Sequence, residues 1–268
     1  MNVAPLQANQ SPSDAPIIYE QPLSERVRTF LRLEFLFEQL HYHAQGQQPW
    51  DARAALASLL EILALLAKGD IRTEVLKELE RQAVLLTRLR HRADVDHQRL
   101  TTILDSIEKL RHRLDSPERQ FAQELRESEF LAALRNRAAI PGGTCAFDLP
   151  ALYFWLSQPA DIRRRDIEHW IEQLEPLRRP LRLLLMLIRE SARPTAAVAV
   201  GGMYQMTFDA GPACQLIRVL LPADAGVFPE ISGSKHRFTI RFLERAELAQ
   251  RPRQTARDIA FQLVCCQL

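Results

Sequence analysis

The stretch Phe228-Pro229-Glu230-Ile231-Ser232-Gly233-Ser234-Lys235-His236-Arg237-Phe238-Thr239-Ile240-Arg241-Phe242 decides how this chain is read. Pro229 to Gly233 predicts a loop. From Lys235 onward, Lys235, Arg237, Thr239 and Arg241 alternate with His236, Phe238, Ile240 and Phe242. A period of two places successive side chains on opposite faces of a β-strand. One face therefore carries Phe238, Ile240 and Phe242 into a core, while the other holds three cations in a row. Side chains two apart on a strand stand roughly 6.5–7 Å from each other. A row of like charges at that spacing repels itself, so it is tolerable when solvated or when an anion occupies it. The alternation leaves two readings open, an ordinary solvated face and a docking groove for an acidic peptide or a phosphate backbone.

Around this strand the chain has ordinary globular usage: 268 residues, 47% hydrophobic and 25% charged, with a net charge of only +2. Any affinity for anions must come from local clustering rather than from global charge. Apolar runs such as Leu183-Leu184-Leu185-Met186-Leu187-Ile188 are short beside the roughly 20 residues that span a bilayer. The polar start, residues 1–16, reads as a disordered leader and not as a signal peptide. Cys145, Cys214, Cys265 and Cys266 lack CxxC spacing, which suits free thiols in a reducing cytoplasm better than a disulfide framework.

The remaining pattern predicts about eight helices followed by an antiparallel, β-rich C-terminal third, an α+β chain. Ile17–Glu20 reads as a short strand, placed in a segment 17–22 that joins the β-rich part. Ser24 caps a first helix to about His43, with Val27, Phe30, Leu33, Phe37 and Leu40 on its apolar stripe. Further helices are expected from Asp51 to Leu66, from Ile71 to about Arg90, after Asp94 or Asp96, and from Pro117 to Arg137. Ile140-Pro141-Gly142-Gly143 forces a break. Cys145-Ala146-Phe147 reads as a strand, a short helix runs to Trp155, and two helices cover about Pro159–Leu174 and Glu175–Ser191. Beyond Pro194, Thr195 to Phe208 predicts strand with a hairpin or bulge at Gly201-Gly202. Gln215–Leu221, Arg237–Phe242 and Ile259–Cys265 are further strands in an antiparallel sheet. The implied organisation is a helical domain over 23–139, a break and further helices over 140–193, and a β-rich domain over 194–268.

No catalytic signature stands up. Ser232-Gly233-Ser234-Lys235 has the SxxK spacing, but that chemistry needs Ser and Lys one helical turn apart, and this segment leads into a strand. The paired glycines at 142–143 and 201–202 match no phosphate-binding loop. His41 and His43 point about 200° apart on a helix, so they do not share a metal ion. Neither an enzyme nor a bound cofactor is expected. Basic clusters are the stronger signal: residues 232–257 carry seven Lys/Arg against Glu244 and Glu247. Arginine suits bidentate contacts to carboxylates and phosphates. Nucleic acid is one partner that fits, although no strand carries the stacking aromatics of RNA-binding sheets.

Four stretches, in order, carry a family likeness: Tyr19 to Leu23 running into Arg28-Thr29-Phe30-Leu31-Arg32-Leu33-Glu34-Phe35-Leu36; Gly69 to Gln82; Ile140-Pro141-Gly142-Gly143 through Phe147-Asp148-Leu149-Pro150 to Trp155-Leu156; and Pro229 to Phe242. They span the chain from about residue 17 to its end, and together they resemble the ZapD family of Z-ring-associated bacterial division proteins. The resemblance implies a non-enzymatic, cytoplasmic homodimer acting at the midcell division site. It implies a helical domain, a β-rich domain, and a basic pocket on the β-rich side that takes the C-terminal tail of the tubulin-like GTPase FtsZ, so that dimers crosslink and bundle its filaments. Carried over to this chain, Lys235, Arg237 and Arg241 match basic positions of that pocket. Arg32 matches an arginine of the first helix, and Arg126, Arg135 and Arg137 match basic positions before the break. Glu129 stands where the family pattern has an arginine, and Tyr153 where it has a histidine.

Overall fold

Ser24, Gln48, Asp70, Asp96 and Ser128 punctuate the helical part of the chain, and each does so through its side chain or its neighbour's. The computed structural model describes residues 15–92, 94–115, 122–208, 213–234, 236–245 and 250–267; the expected leader, Pro117 and Lys235 fall outside them. The Ser24 hydroxyl accepts from the Val27 N–H and opens α1 (Glu25–Ala44). Pro49 starts α2 (Pro49–Lys68), capped by Gln48, whose N–H donates to the Asp51 carboxylate at 3.0 Å; Asp51 therefore lies in the first turn rather than at the cap. Asp70 caps α3 (Ile71–Arg88), accepting from the Thr73 N–H at 3.1 Å. Of the two candidates ahead of α4 (His97–Asp115), Asp96 makes the capping bond, to the Arg99 N–H. The expected helix to Arg137 is divided: α5 (Gln123–Glu127) stops at Ser128, whose extended backbone breaks the helix and whose hydroxyl caps α6 (Glu129–Ala138).

Two further expectations change in this region. Cys145–Phe147 is not a strand; the Cys145 N–H donates to Gly142 and the Leu149 N–H to Cys145, a run of turns ahead of α7 (Pro150–Leu156). The two late helices are one, α8 (Ala160–Glu190), which runs through Pro176 and Pro180. Each proline forfeits an intrahelical bond. That loss is offset by a stripe of fully buried side chains, Leu174, Leu177, Leu181, Leu184, Leu185 and Ile188.

The described chain forms two compact units, residues 30–185 and residues 1–29 with 186–268. In the helical unit α3 packs against α4, and α7 against α2 and α6. Glu78 of α3 is buried and held bidentately by Arg81, at 2.6 and 3.1 Å, with Gln82 as a third donor, so its charge is compensated.

The β-rich unit contains eight strands among its described residues: β1 (Ile17–Pro22), β2 (Thr195–Ala199), β3 (Met203–Thr207), β4 (Cys214–Leu221), β5 (Val227–Gly233), β6 (Arg237–Glu244), β7 (Arg253–Gln254) and β8 (Ile259–Gln267). They divide into two antiparallel sheets, β1-β4-β8-β2 and β3-β6-β5 with β7 on β6, rather than one. The N-terminal strand is recruited as expected, with Tyr19 opposite Val219. The expected loop at Pro229–Gly233 is strand β5; it lies at the sheet edge, where a proline without an N–H is tolerated. Gly201 and Gly202 (φ 54° and 74°) make the tight turn from β2 to β3, and a Cβ on Gly202 would stand 2.4 Å from the Thr255 carbonyl oxygen.

Phe238, Ile240 and Phe242 are fully buried, while Arg237 and Arg241 are exposed, as the alternation requires. His236 departs from it: the strand begins at Arg237, and the histidine is exposed. The two sheets meet through aromatic contacts, Phe242 of β6 with Phe261 at 5.1 Å and Tyr204 of β3 with Phe261 at 5.4 Å. On the opposite face of the first sheet, Arg189 grips Glu20 with two bonds of 2.8 and 2.9 Å, and Arg218 adds a third at 2.9 Å.

Glu20→Ala leaves both arginines largely buried without their shared carboxylate, and it is expected to cost about 1–3 kcal/mol in urea unfolding. The Thr73 hydroxyl and N–H hold the Asp70 carboxyl below its ordinary value. Its folded pKa is depressed, so its capping contribution is present above the unfolded pKa and fades as the pH falls through the folded one. Asp70→Ala should cost about 1 kcal/mol at neutral pH and progressively less below about pH 4.

Candidate functional site

Strand pairing builds the outer face of the β3-β6-β5 sheet in rows. Met203 and Glu230 flank Arg241, Gln205 and Ser232 flank Thr239, and Thr207 flanks Arg237. Across an antiparallel pair, directly opposed side chains share a face. The result is a polar surface of amide and hydroxyl groups around two guanidinium groups. A depression of about 480 Å³ opens at the Arg237 end, lined by Gln205, Thr207, Ser232, Ser234 and Thr239 among others. Arg241 has a loose partner in Glu230 at 3.8 Å, with both side chains more than half exposed. Among the described residues, no carboxylate lies within ion-pair distance of Arg237.

The helical unit presents a different kind of surface along α2. Three adjoining cavities, of about 380, 520 and 590 Å³, follow this helix. The first two share Glu61 and Ala64, and the last two share Arg135. They form a discontinuous surface around α2 whose apolar part includes Leu36, Leu56, Ala57, Leu60, Ala64, Leu65, Leu134 and Leu152. Its rim carries Arg32 and Lys68 at one cavity, Arg53 and Arg135 at the next, and Arg72, Arg126 and Arg135 at the last, against Glu61 and Asp70. Arg53 is engaged by Thr144, with a 2.8 Å bond to its hydroxyl, and Arg72 by the Leu114 carbonyl oxygen. Among the described residues, neither Arg32 nor Arg135 has a carboxylate within ion-pair distance. A desolvated apolar floor edged by arginines suits a ligand that combines apolar side chains with carboxylates.

The family profile described as ZapD, cell division protein, matches residues 31–241. Cell division protein ZapD of Methylococcus capsulatus is 42% identical over 252 residues, covering 94% of this chain and 98% of that protein. The ZapD proteins of an Azoarcus species and of Coxiella burnetii are 40% and 37% identical over a similar span. The chain belongs to the ZapD family. Its role is accordingly in cell division. Among the described residues, no helix is long and apolar enough to cross a membrane.

The residues expected from the ZapD resemblance distribute as follows. Arg237 and Arg241 stand on the outer face of β6, and Lys235 falls outside the described residues. Arg32, Arg126 and Arg135, more than a hundred positions apart at the extremes, line adjoining cavities around α2. Arg137 is drawn aside into a 3.3 Å ion pair with Asp148, which ties the end of α6 to the turn ahead of α7. Tyr153 is exposed on α7, next to Leu152 of the cavity at Arg53 and Arg135 but outside its lining. Glu129 has a local reason to be acidic here: it occupies the first turn of α6, where a negative charge favours the helix dipole.

Arg53, Lys68 and Arg72 were not anticipated, and neither was the apolar floor. A signal for it exists in the sequence. Between residues 52 and 67 only Arg53, Ser58 and Glu61 are polar, so α2 is apolar over more of its circumference than one buried face needs.

Proposed function

We propose that this protein is a non-enzymatic division factor that binds the acidic, partly apolar C-terminal tail of FtsZ and, as a homodimer in the cytoplasm at midcell, crosslinks and bundles FtsZ filaments. Family membership supports the division role. The observation that carries the binding mode is that Arg32, Arg126 and Arg135 line adjoining cavities around α2 whose walls are largely apolar. In this reading the tail lays apolar side chains along α2 and sets carboxylates against the rim. The exposed Arg237 and Arg241, with Lys235, supply a second cationic surface for the same class of ligand. Ordering a flexible tail costs several kcal/mol, so each site is weak, on the order of micromolar. Two sites per dimer on a filament that displays many tails recover affinity by multivalency.

The test is fluorescence anisotropy of a labelled FtsZ tail peptide with wild type, Arg135→Glu and Arg237→Glu, at low and physiological salt. Wild type should bind saturably, and more weakly at higher salt as the charges are screened. Arg135→Glu should weaken binding by about tenfold or more, since it removes a charge-assisted contact and adds repulsion. Loss in Arg237→Glu with no change in Arg135→Glu would move the site to the β6 face. Binding of an oligonucleotide in place of the peptide would reject the reading. Both positions are exposed, so the variants should unfold within about 0.5 kcal/mol of wild type.

A further inference from the structure

Cys214 opens β4, and Cys265 lies near the end of β8, its antiparallel neighbour. Cys214 is opposite Gln267, and a bulge follows it before Leu216 pairs with Cys266. Cys265 is thus the diagonal neighbour of Cys214, two residues back along β8 and on the same face. Both belong to the core between the sheets: Cys214 is buried within it, and Cys265 packs against it half-buried. The Cys214 S–H points to the Leu216 carbonyl oxygen at 3.5 Å. Cys266 points the other way, fully buried, with its sulfur 4.0 Å from the Arg189 carbonyl oxygen. Cys145 lies in the helical unit. All four are free thiols.

We propose that Cys214 and Cys265 form a peroxide-sensitive dithiol that closes to an intramolecular disulfide joining the start of β4 to the end of β8. The pair has the asymmetry such chemistry needs. The neighbouring Cys214 thiol holds the Cys265 thiol below its ordinary value, against the opposing effect of burial. The Cys214 thiol is correspondingly pushed up, and burial pushes Cys266 up to about 11. Cys265, the one partly open to solvent, is therefore the attacking thiolate. Its sulfur attacks one oxygen of hydrogen peroxide; an S–O bond forms, the O–O bond breaks and hydroxide leaves, giving a sulfenic acid. The Cys214 sulfur then attacks the Cys265 sulfur. The S–S bond forms, the S–O bond breaks, and the departing hydroxide takes the Cys214 proton as water. Two thiols are oxidised to one disulfide, and one peroxide is reduced to two waters. Because the resolving thiol is the diagonal neighbour on the paired strand, closure should outrun further oxidation of Cys265. This inference is independent of how the protein binds its partner.

The experiment uses the full chain, reduced, then exposed to hydrogen peroxide and blocked with N-ethylmaleimide before proteolysis and mass spectrometry. Wild type should lose two hydrogen atoms and yield a peptide pair linked through Cys214 and Cys265, reversed by dithiothreitol. Fragment ions that separate Cys265 from Cys266 make the assignment without any variant. Cys214→Ala should leave a sulfenic acid on Cys265, trapped by dimedone. On reduced protein, Cys265 should react with the maleimide about tenfold faster than Cys266, its larger thiolate fraction being partly offset by lower intrinsic nucleophilicity. A link through Cys266, a link between two chains, or a free Cys265 thiol after peroxide would overturn the proposal.

Discussion

Strand β6 must bury every second side chain, and the β-rich unit depends on that constraint. Phe238, Ile240 and Phe242 enter the core shared by the two sheets, where Phe242 and Tyr204 both meet Phe261 of the other sheet. Burying each such side chain is worth roughly 1.5–3 kcal/mol. A slip of one residue in register would put Arg237, Thr239 and Arg241 inside and expose the aromatic row. The exposed ion pair Arg241–Glu230 is worth at most about 1 kcal/mol. Core burial therefore sets the register, and the cationic outer row is its consequence. A basic face is obtained without any local charge interaction having to hold it in place.

The helical unit reaches a similar outcome by another route. Helix α2 buries Ala52, Ala55, Leu56, Leu59, Ile62 and Leu63, yet its remaining surface, with Ala57, Leu60, Ala64 and Leu65, is also apolar. Cavities open over that surplus, lined also by residues of α1, α6 and α7. The arginines at the rim are of two sorts. Arg53 and Arg72 are anchored to neighbouring backbone or hydroxyl oxygens and shape the walls. Arg32 and Arg135 keep their charge exposed, which leaves them available to an incoming carboxylate at little desolvation cost.

Much of this was legible in the residues. The stripe on α1, the cap at Ser24, the turn at Gly201-Gly202 and most of the strands after Pro194 follow from local periodicity and turn chemistry. The misreadings share a cause. Pro229 and Gly233 look like loop residues, but an edge position makes their missing donor and side chain harmless. Pro176 and Pro180 look like a helix end, but the leucine stripe around them outweighs the bonds they remove. In both cases the deciding energy comes from partners distant in sequence. Of the candidate site, the basic residue types were visible, whereas their grouping along α2 was not.

The sequence by itself determined the helix and strand periods, the faces they bury, and the signs of the charges left outside, because these rest on interactions within a few residues. Only the tertiary structure decided that the strands split into two sheets around one core. It also decided that Arg32, Arg126 and Arg135 line adjoining cavities and that Cys214 stands diagonally beside Cys265. Those are contacts across tens of residues or more, selected by how buried surfaces pack rather than by any pattern along the chain.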